Sequence, residues 1–93
     1  MATVIIPTPL RKFTNNSSRL HVQANTIWDM IQKLITQFPD LRKHLFDANG
    51  RVPSFINIFV NDDDIRNLQR EQTVVMENAT VSIVPAIAGG VPL

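Results

Sequence analysis

Between Ile27 and Phe38 the apolar residues fall at Ile27, Met30, Ile31, Leu34, Ile35 and Phe38. These steps of three and four draw one continuous stripe on an α-helix and cannot line one face of a strand. The ends carry their own signals. Asn25 or Thr26 can cap the start, Asp29 stands three residues after Thr26 in a variant of the capping box, and Pro39 stops the pattern. The Asp29 charge is also favourable at the positive end of the helix dipole. A helix of about 12 residues follows. Asp40 to Phe46 then reads as a short second helix or turn, packed through Leu41, Leu45 and Phe46.

Elsewhere the period is two. Thr3-Val4-Ile5-Ile6 is β-branched and Arg19-Leu20-His21-Val22-Gln23 alternates polar with apolar, so the cluster Asn15-Asn16-Ser17-Ser18 is expected to join two antiparallel strands as a hairpin. Phe55 to Val60 is the strongest strand, with Ile56, Ile58 and Val60 toward the helix and Phe55, Asn57 and Phe59 on the opposite face. A turn at Asn61 to Asp64, a brief Ile65-Arg66 element and an irregular polar stretch lead to a last strand, Thr80 to Val84, before Pro85. The order β-β-α-β-(β)-β predicts an α+β fold in which one main helix packs on one face of a small mixed sheet, the order of a ubiquitin-like β-grasp.

The composition agrees with that picture. At 93 residues and 10.5 kDa, 44% hydrophobic and 18% charged, the chain suits one domain with one core and is far from a disordered composition. Nine Lys and Arg against eight Asp and Glu leave a net charge of +1, which gives no electrostatic footprint for nucleic acid or for an anionic membrane. Absence of cysteine removes disulfides, a thiolate nucleophile, a thiolate zinc site and any persulfide on the chain's own side chains. No apolar run approaches a signal peptide core or the ~20 residues of a membrane span, and a cytoplasmic protein is expected. Asn-x-Ser/Thr triplets begin at Asn15, Asn16 and Asn78, but they need a secretory route that nothing else advertises.

Most constellations that could carry chemistry reduce to structure. Asp62-Asp63-Asp64 lacks the spacing, glycine and terminal Glu of an EF-hand loop and reads as a solvated turn. His21 and His44 have no partner at metal-ligand spacing, so no metal site is expected. Ser17, Ser18 and Ser54 have no base at a recognisable spacing, and three glycines in all, Gly50, Gly89 and Gly90, make no phosphate loop. No cofactor is expected on the chain itself. Trp28, at the flank of the helix stripe, reads as a partly buried helix residue. Phe55 and Phe59 are different, because a fold with one main helix has nothing of its own to cover the far face of its sheet. With Ser82, Val84 and Ala86 on the same face they mark either a partner surface or a contact for the N-terminal loop.

The division expected along the chain is a β-grasp domain over 1–87 and a flexible arm over 88–93. From Ala88 onward there is little side chain to pack, and the backbone is freest at Gly89 and Gly90. Extended, such an arm reaches about 20 Å and can thread a channel too narrow for larger side chains.

Two segments taken together identify a family likeness. One is Phe55-Ile56-Asn57-Ile58-Phe59-Val60-Asn61-Asp62-Asp63-Asp64-Ile65-Arg66, and the other is Val81-Ser82-Ile83-Val84-Pro85-Ala86-Ile87-Ala88-Gly89-Gly90. With Ile6-Pro7-Thr8 they resemble the ubiquitin-like sulfur carriers: the molybdopterin-synthase small subunit, the thiamine-pathway carrier and, nearest, the carrier of a cysteine-synthesis pathway. The resemblance runs loosely over residues 3 to 90. It implies that the Gly90 carboxylate is adenylated with ATP on an adenylating (E1-like) partner and converted to a thiocarboxylate, with Gly89 as its steric companion. It further implies a sulfur-accepting enzyme, of which a PLP-dependent cysteine synthase is one candidate, and partner contacts through Phe55, Phe59, Val84, Ala86, Ile87 and Ala88. The chain would be a protein co-substrate and not an enzyme, with ATP bound by the partner. Val91-Pro92-Leu93 departs from the pattern, because it places the terminal carboxylate on Leu93. Family members with such extensions resemble substrates of a zinc-dependent protease that exposes the diglycine. The alternatives are a molybdopterin-synthase small subunit and a ubiquitin-like interaction module that is never activated.

Overall fold

In the computed structural model, which describes residues 1–47 and 50–85, five strands and two α-helices follow the expected order. They are β1 (Ala2–Ile5), β2 (Arg19–Val22), α1 (Ile27–Gln37), α2 (Arg42–Leu45), β3 (Ile56–Val60), β4 (Asp63–Asp64) and β5 (Thr80–Pro85). The strands form one mixed sheet in the order β2-β1-β5-β3-β4. β1 pairs antiparallel with β2 and parallel with β5, which returns antiparallel along β3.

The core lies between α1 and one face of this sheet. Ile27, Met30, Ile31 and Leu34 bring the helix stripe to it, and Val4, Val22, Ile56, Ile58, Val60, Val81 and Ile83 answer from the strands, all buried. Leu34, in the middle of the stripe, has no exposed surface at all. Thr26 caps the helix as its sequence suggests, its hydroxyl oxygen accepting from the Asp29 N–H at 3.1 Å. The Asp29 carboxylate reaches back one residue further than in the usual capping box and accepts from the Asn25 N–H at 3.2 Å.

The structure also departs from the expected elements in five places. The hairpin between β1 and β2 is not joined by a simple turn: Thr8–Phe13 forms a 3₁₀ helix that sends Leu10 into the core. The polar cluster after it still turns the chain, since Asn15 and Asn16 take left-handed backbone with φ of 55° and 64°, which Asn tolerates better than most residues. The second helix is split, with a 3₁₀ turn at Pro39–Leu41 running into α2, and Leu41 and Leu45 buried as expected. β3 begins at Ile56, leaving Phe55 just before it, and β5 extends through Pro85.

The largest departure is in the stretch before β5, expected to be irregular and polar. Thr73, Val75 and Ala79 are buried there. The Thr73 carbonyl accepts from the Ile27 N–H, and the Val75 N–H donates to the Asn25 carbonyl. This segment therefore satisfies one of the N–H groups that the first turn of α1 would otherwise leave unpaired.

Candidate functional site

The sheet face away from α1 is set by strand alternation. Arg19, Ile5, Ser82, Phe59 and Asp64 follow one another across all five strands in register. One step toward the end of β5, Val84 lies opposite Asn57, with Phe55 just beyond on the chain leading into β3. Phe55 is 40% exposed and Val84 44% exposed, while Ile5, Phe59 and Ser82 are half-buried. The expected partner residues Phe55, Phe59 and Val84 are therefore brought together on one side of the molecule.

The N-terminal connection does not cover Phe55 and Val84. Its Phe13 stacks on His44, ring centroids 4.6 Å apart, and packs against the core. What remains is an apolar centre bordered by Asn57, Ser82 and the charged side chains of Arg19 and Arg66, the anatomy of a contact surface with a polar rim.

The turn after β3 earns its sequence locally. Asn61 has φ 56°, its N–H donates to the Thr80 carbonyl, and its side-chain oxygen accepts from the Thr80 N–H at 3.1 Å. The Asp64 carboxylate accepts from the Arg66 N–H at 2.9 Å, and Ile65 between them is buried. Asp62 and Asp63 are exposed, so this acidic run is a solvated turn with one capping carboxylate. The Arg66 guanidinium lies back along β3: it donates to the Asn57 side-chain oxygen at 2.6 Å and to the carbonyls of Ser54 at 2.6 Å and Ile56 at 3.2 Å. Arg66 carried no expected role beyond its place in the motif. The only signal was its fixed distance from Asp64, which says nothing about where a long side chain will reach.

Other candidate chemistry stays structural. His21 is exposed on β2 beside the Thr3 hydroxyl, at 3.3 Å. His44 has its Nε2 buried without a hydrogen-bond partner, and its pKa lies below the ordinary imidazole value. Burial is the main cause, and the positive charges of Lys43 and Lys12 add to it against an opposing pull from Asp40. Trp28 is 39% exposed and packs on Phe46, centroids 5.2 Å apart. A cavity of about 600 Å³ opens beside α2, lined by Pro39, Asp40, Arg42, Lys43, Phe46 and Asp47. Its walls mix both signs of charge and include no glycine-rich backbone that could cradle phosphates. Among the described residues no group of three or more His, Cys, Asp or Glu could hold a metal ion, and no helix is long and apolar enough to cross a membrane.

The remaining expected site residues, Ala86, Ile87, Ala88, Gly89 and Gly90, lie outside the described residues. So do Val91, Pro92 and Leu93, and with them the boundary between residues 87 and 88. The structure brings the chain to their threshold: β5 ends at Pro85, paired with Ile56 at the edge of the exposed apolar face.

Comparison with known proteins adds to this geometry. The sulfur carrier protein CysO of Mycobacterium tuberculosis is 33% identical over 90 residues, covering 95% of this chain and 97% of that protein. A chain of the Amycolatopsis orientalis BexX/CysO complex superposes with a TM-score of 0.89 at 30% identity, covering 97% of this chain and 100% of its own. The crystal structure of Mycobacterium tuberculosis CysO gives 0.88 at 30% identity, covering 94% and 100%. The profile of the ThiS family matches residues 4–90, nearly the whole of the β-grasp and the diglycine that follows it. The chain belongs to the ThiS family.

Proposed function

We propose that this protein is a sulfur carrier whose reactive group is the carboxylate of Gly90 once Val91-Pro92-Leu93 has been removed. The observation that carries this reading is that the family match ends at Gly90, directly after Gly89 and before the three-residue extension. The chain is then a protein co-substrate and not an enzyme. A carboxylate oxygen of Gly90 attacks the α-phosphorus of ATP held by an adenylating partner, pyrophosphate leaves, and an acyl-adenylate results. Sulfide or an equivalent donor displaces AMP, and the thiocarboxylate is passed to an accepting enzyme. The chemistry divides covalent catalysis between proteins, with this one supplying only the reacting terminus.

Cysteine biosynthesis is the destination supported by the name of its relatives, and a PLP-dependent cysteine synthase has the chemistry to accept the sulfur. The Amycolatopsis orientalis complex supports a carrier of this type docking on a partner protein. The apolar face with Phe55, Phe59 and Val84 is the surface proposed for that docking, and Ala86, Ile87 and Ala88, which precede the diglycine in the sequence, are proposed as further contacts. A zinc-dependent protease is the proposed source of the processed terminus.

The test is adenylation by the cognate enzyme. A chain ending at Gly90 should consume ATP and release pyrophosphate, whereas the chain ending at Leu93 should not. A truncated chain with Gly90→Ala keeps the carboxylate but adds a β-carbon, and such a misplacement should slow the reaction by about 100-fold while leaving the fold intact. Equal activation of the long and short chains would refute the need for processing.

A further inference from the structure

Strand β5 is not held equally along its length. β1 accompanies it only from Thr80 to Ser82, while β3 accompanies it from Val81 to Pro85. Ile83, Val84 and Pro85 therefore depend on β3 alone. β3 in turn has no strand outside it at that end, because β4 pairs only with Phe59 and Val60, and the Ile56 N–H is taken by the Pro53 carbonyl.

The phase of the ladder shows what is exposed. In an antiparallel pair the peptide groups of successive residues point alternately to the two neighbours. The bond from the Asn61 N–H to the Thr80 carbonyl fixes the alternation, so the peptide groups of Asn57 and Phe59 face β5 while that of Ile56 faces outward. Asn57 and Val84 exchange the last rung among the described residues, since Ile56 and Pro85 oppose each other in the phase that does not bond.

Arg66 occupies the outward edge. Its Nη2 donates to the carbonyl of Ile56, on the outward edge of β3, and to that of Ser54 in the turn closed by the bond from the Ile56 N–H to the Pro53 carbonyl, and its Nη1 donates to the side chain of Asn57. The buried Ile65 and the bond from the Arg66 N–H to Asp64 anchor the base of this side chain. The planar fork is needed, since a lysine ammonium is a point donor on a flexible stem.

We propose that Arg66 is a positioning residue for the reactive terminus: it ties the turn at Ser54 to the outer edge of β3 at Ile56 and Asn57, where no strand lies, and so keeps closed the Asn57–Val84 rung from which the chain continues to Gly90. This rests on the carrier reading for its consequence and on the strand geometry for its mechanism. Two measurements separate them.

The first is amide hydrogen exchange of the full chain by NMR. Arg66→Lys and Arg66→Gln should accelerate exchange at Val84 about tenfold more than at Ser82, which is bonded on the Phe59 rung. Unchanged exchange at Val84, or equal acceleration at both positions, would overturn the proposal. Should the Gln variant unfold, the Lys variant carries the comparison. The second is adenylation of chains ending at Gly90. Arg66→Lys should lower kcat about tenfold and leave KM within about twofold of the parent, because the apolar centre of the docking face is untouched and lysine keeps the positive charge at its rim, while delivery of the terminus is loosened. A raised KM at unchanged kcat would overturn it in favour of a direct partner contact. If the unsubstituted short chain is not activated at all, the carrier reading fails, and the exchange measurement alone decides what Arg66 does.

Discussion

Ile83 and Val84 are neighbours on one strand whose substitution should have opposite consequences, because alternation sends one to the core and the other to the open face. Ile83 is 3% exposed and pairs with Ile58 in the inner layer. Ile83→Ala removes three carbons, worth ~0.8 kcal/mol each, or roughly 2.4 kcal/mol by transfer alone. The cavity left behind raises the cost to ~3–4 kcal/mol. A chain of 93 residues at ~0.05–0.15 kcal/mol per residue has roughly 5–14 kcal/mol in total, so this one change removes a large fraction of it. At ~4–8 °C per kcal/mol for a domain of this size, the melting temperature should fall by roughly 12–30 °C.

Val84 is 44% exposed, and Val84→Ala has only β-propensity and partial packing to lose, less than ~1 kcal/mol. Its melting temperature should fall by less than about 8 °C. Thermal unfolding followed by circular dichroism and by calorimetry reads both values directly. Val84→Asp extends the comparison, since it should remain folded and yet weaken capture by the adenylating enzyme. Equal losses of stability from Ile83→Ala and Val84→Ala would refute the assignment of the two faces. A Val84→Asp chain activated as readily as the parent would remove Val84 from the docking surface.

Three further outcomes follow from local geometry. Thr26→Ala should cost ~1 kcal/mol in urea unfolding by removing the acceptor for the Asp29 N–H, and a change below the error of the measurement would mean that Asp29 and the packing of residues 73–75 suffice to start α1. Asn61→Gly should be tolerated better than Asn61→Ala, because both lose the bond to the Thr80 N–H while only Ala also bears the ~1–2 kcal/mol of a left-handed backbone; the reverse order of melting temperatures would contradict the turn. Folding holds His44 below its ordinary value of 6.5, so the unfolded chain takes up the proton first as pH falls. That group's contribution is complete above the unfolded value and is lost as pH drops from there toward the folded one. His44→Phe, which keeps a ring against Phe13, should flatten stability against pH in this window, and an undiminished slope would assign the acid sensitivity elsewhere.

The legible parts of the fold were those written in consecutive residues. The stripe from Ile27 to Phe38, the cap at Thr26 and the alternation of Phe55 to Val60 are local patterns with one structural solution each, and the structure adopts them. The turns at Asn15-Asn16 and at Asn61 were legible too as polar clusters, and the structure gives these three residues left-handed backbone. The segment from Thr73 to Ala79 was not, since its apolar residues are isolated among polar ones and their burial depends on the distant start of α1. Its sequence reads as an irregular polar stretch, and hydrogen bonding to Asn25 and Ile27 makes it a wall of the core.

The candidate site divides in the same way. The aromatic positions of the outer face could be read from strand parity, because period two assigns every residue of a strand once a single core position is known. Arg66 could not, because its role is to complete a sheet edge that becomes incomplete only when β4 turns out to be as short as Asp63–Asp64. A long fourth strand would have paired with Ile56 and left the arginine to solvent. The short strand and the long side chain are thus two halves of one solution: the edge is closed by a group that takes the carbonyls without offering a further edge for another chain to join. An open strand beside the end of β5 would invite pairing with another chain, and a side chain that uses up the carbonyls of that edge removes the invitation.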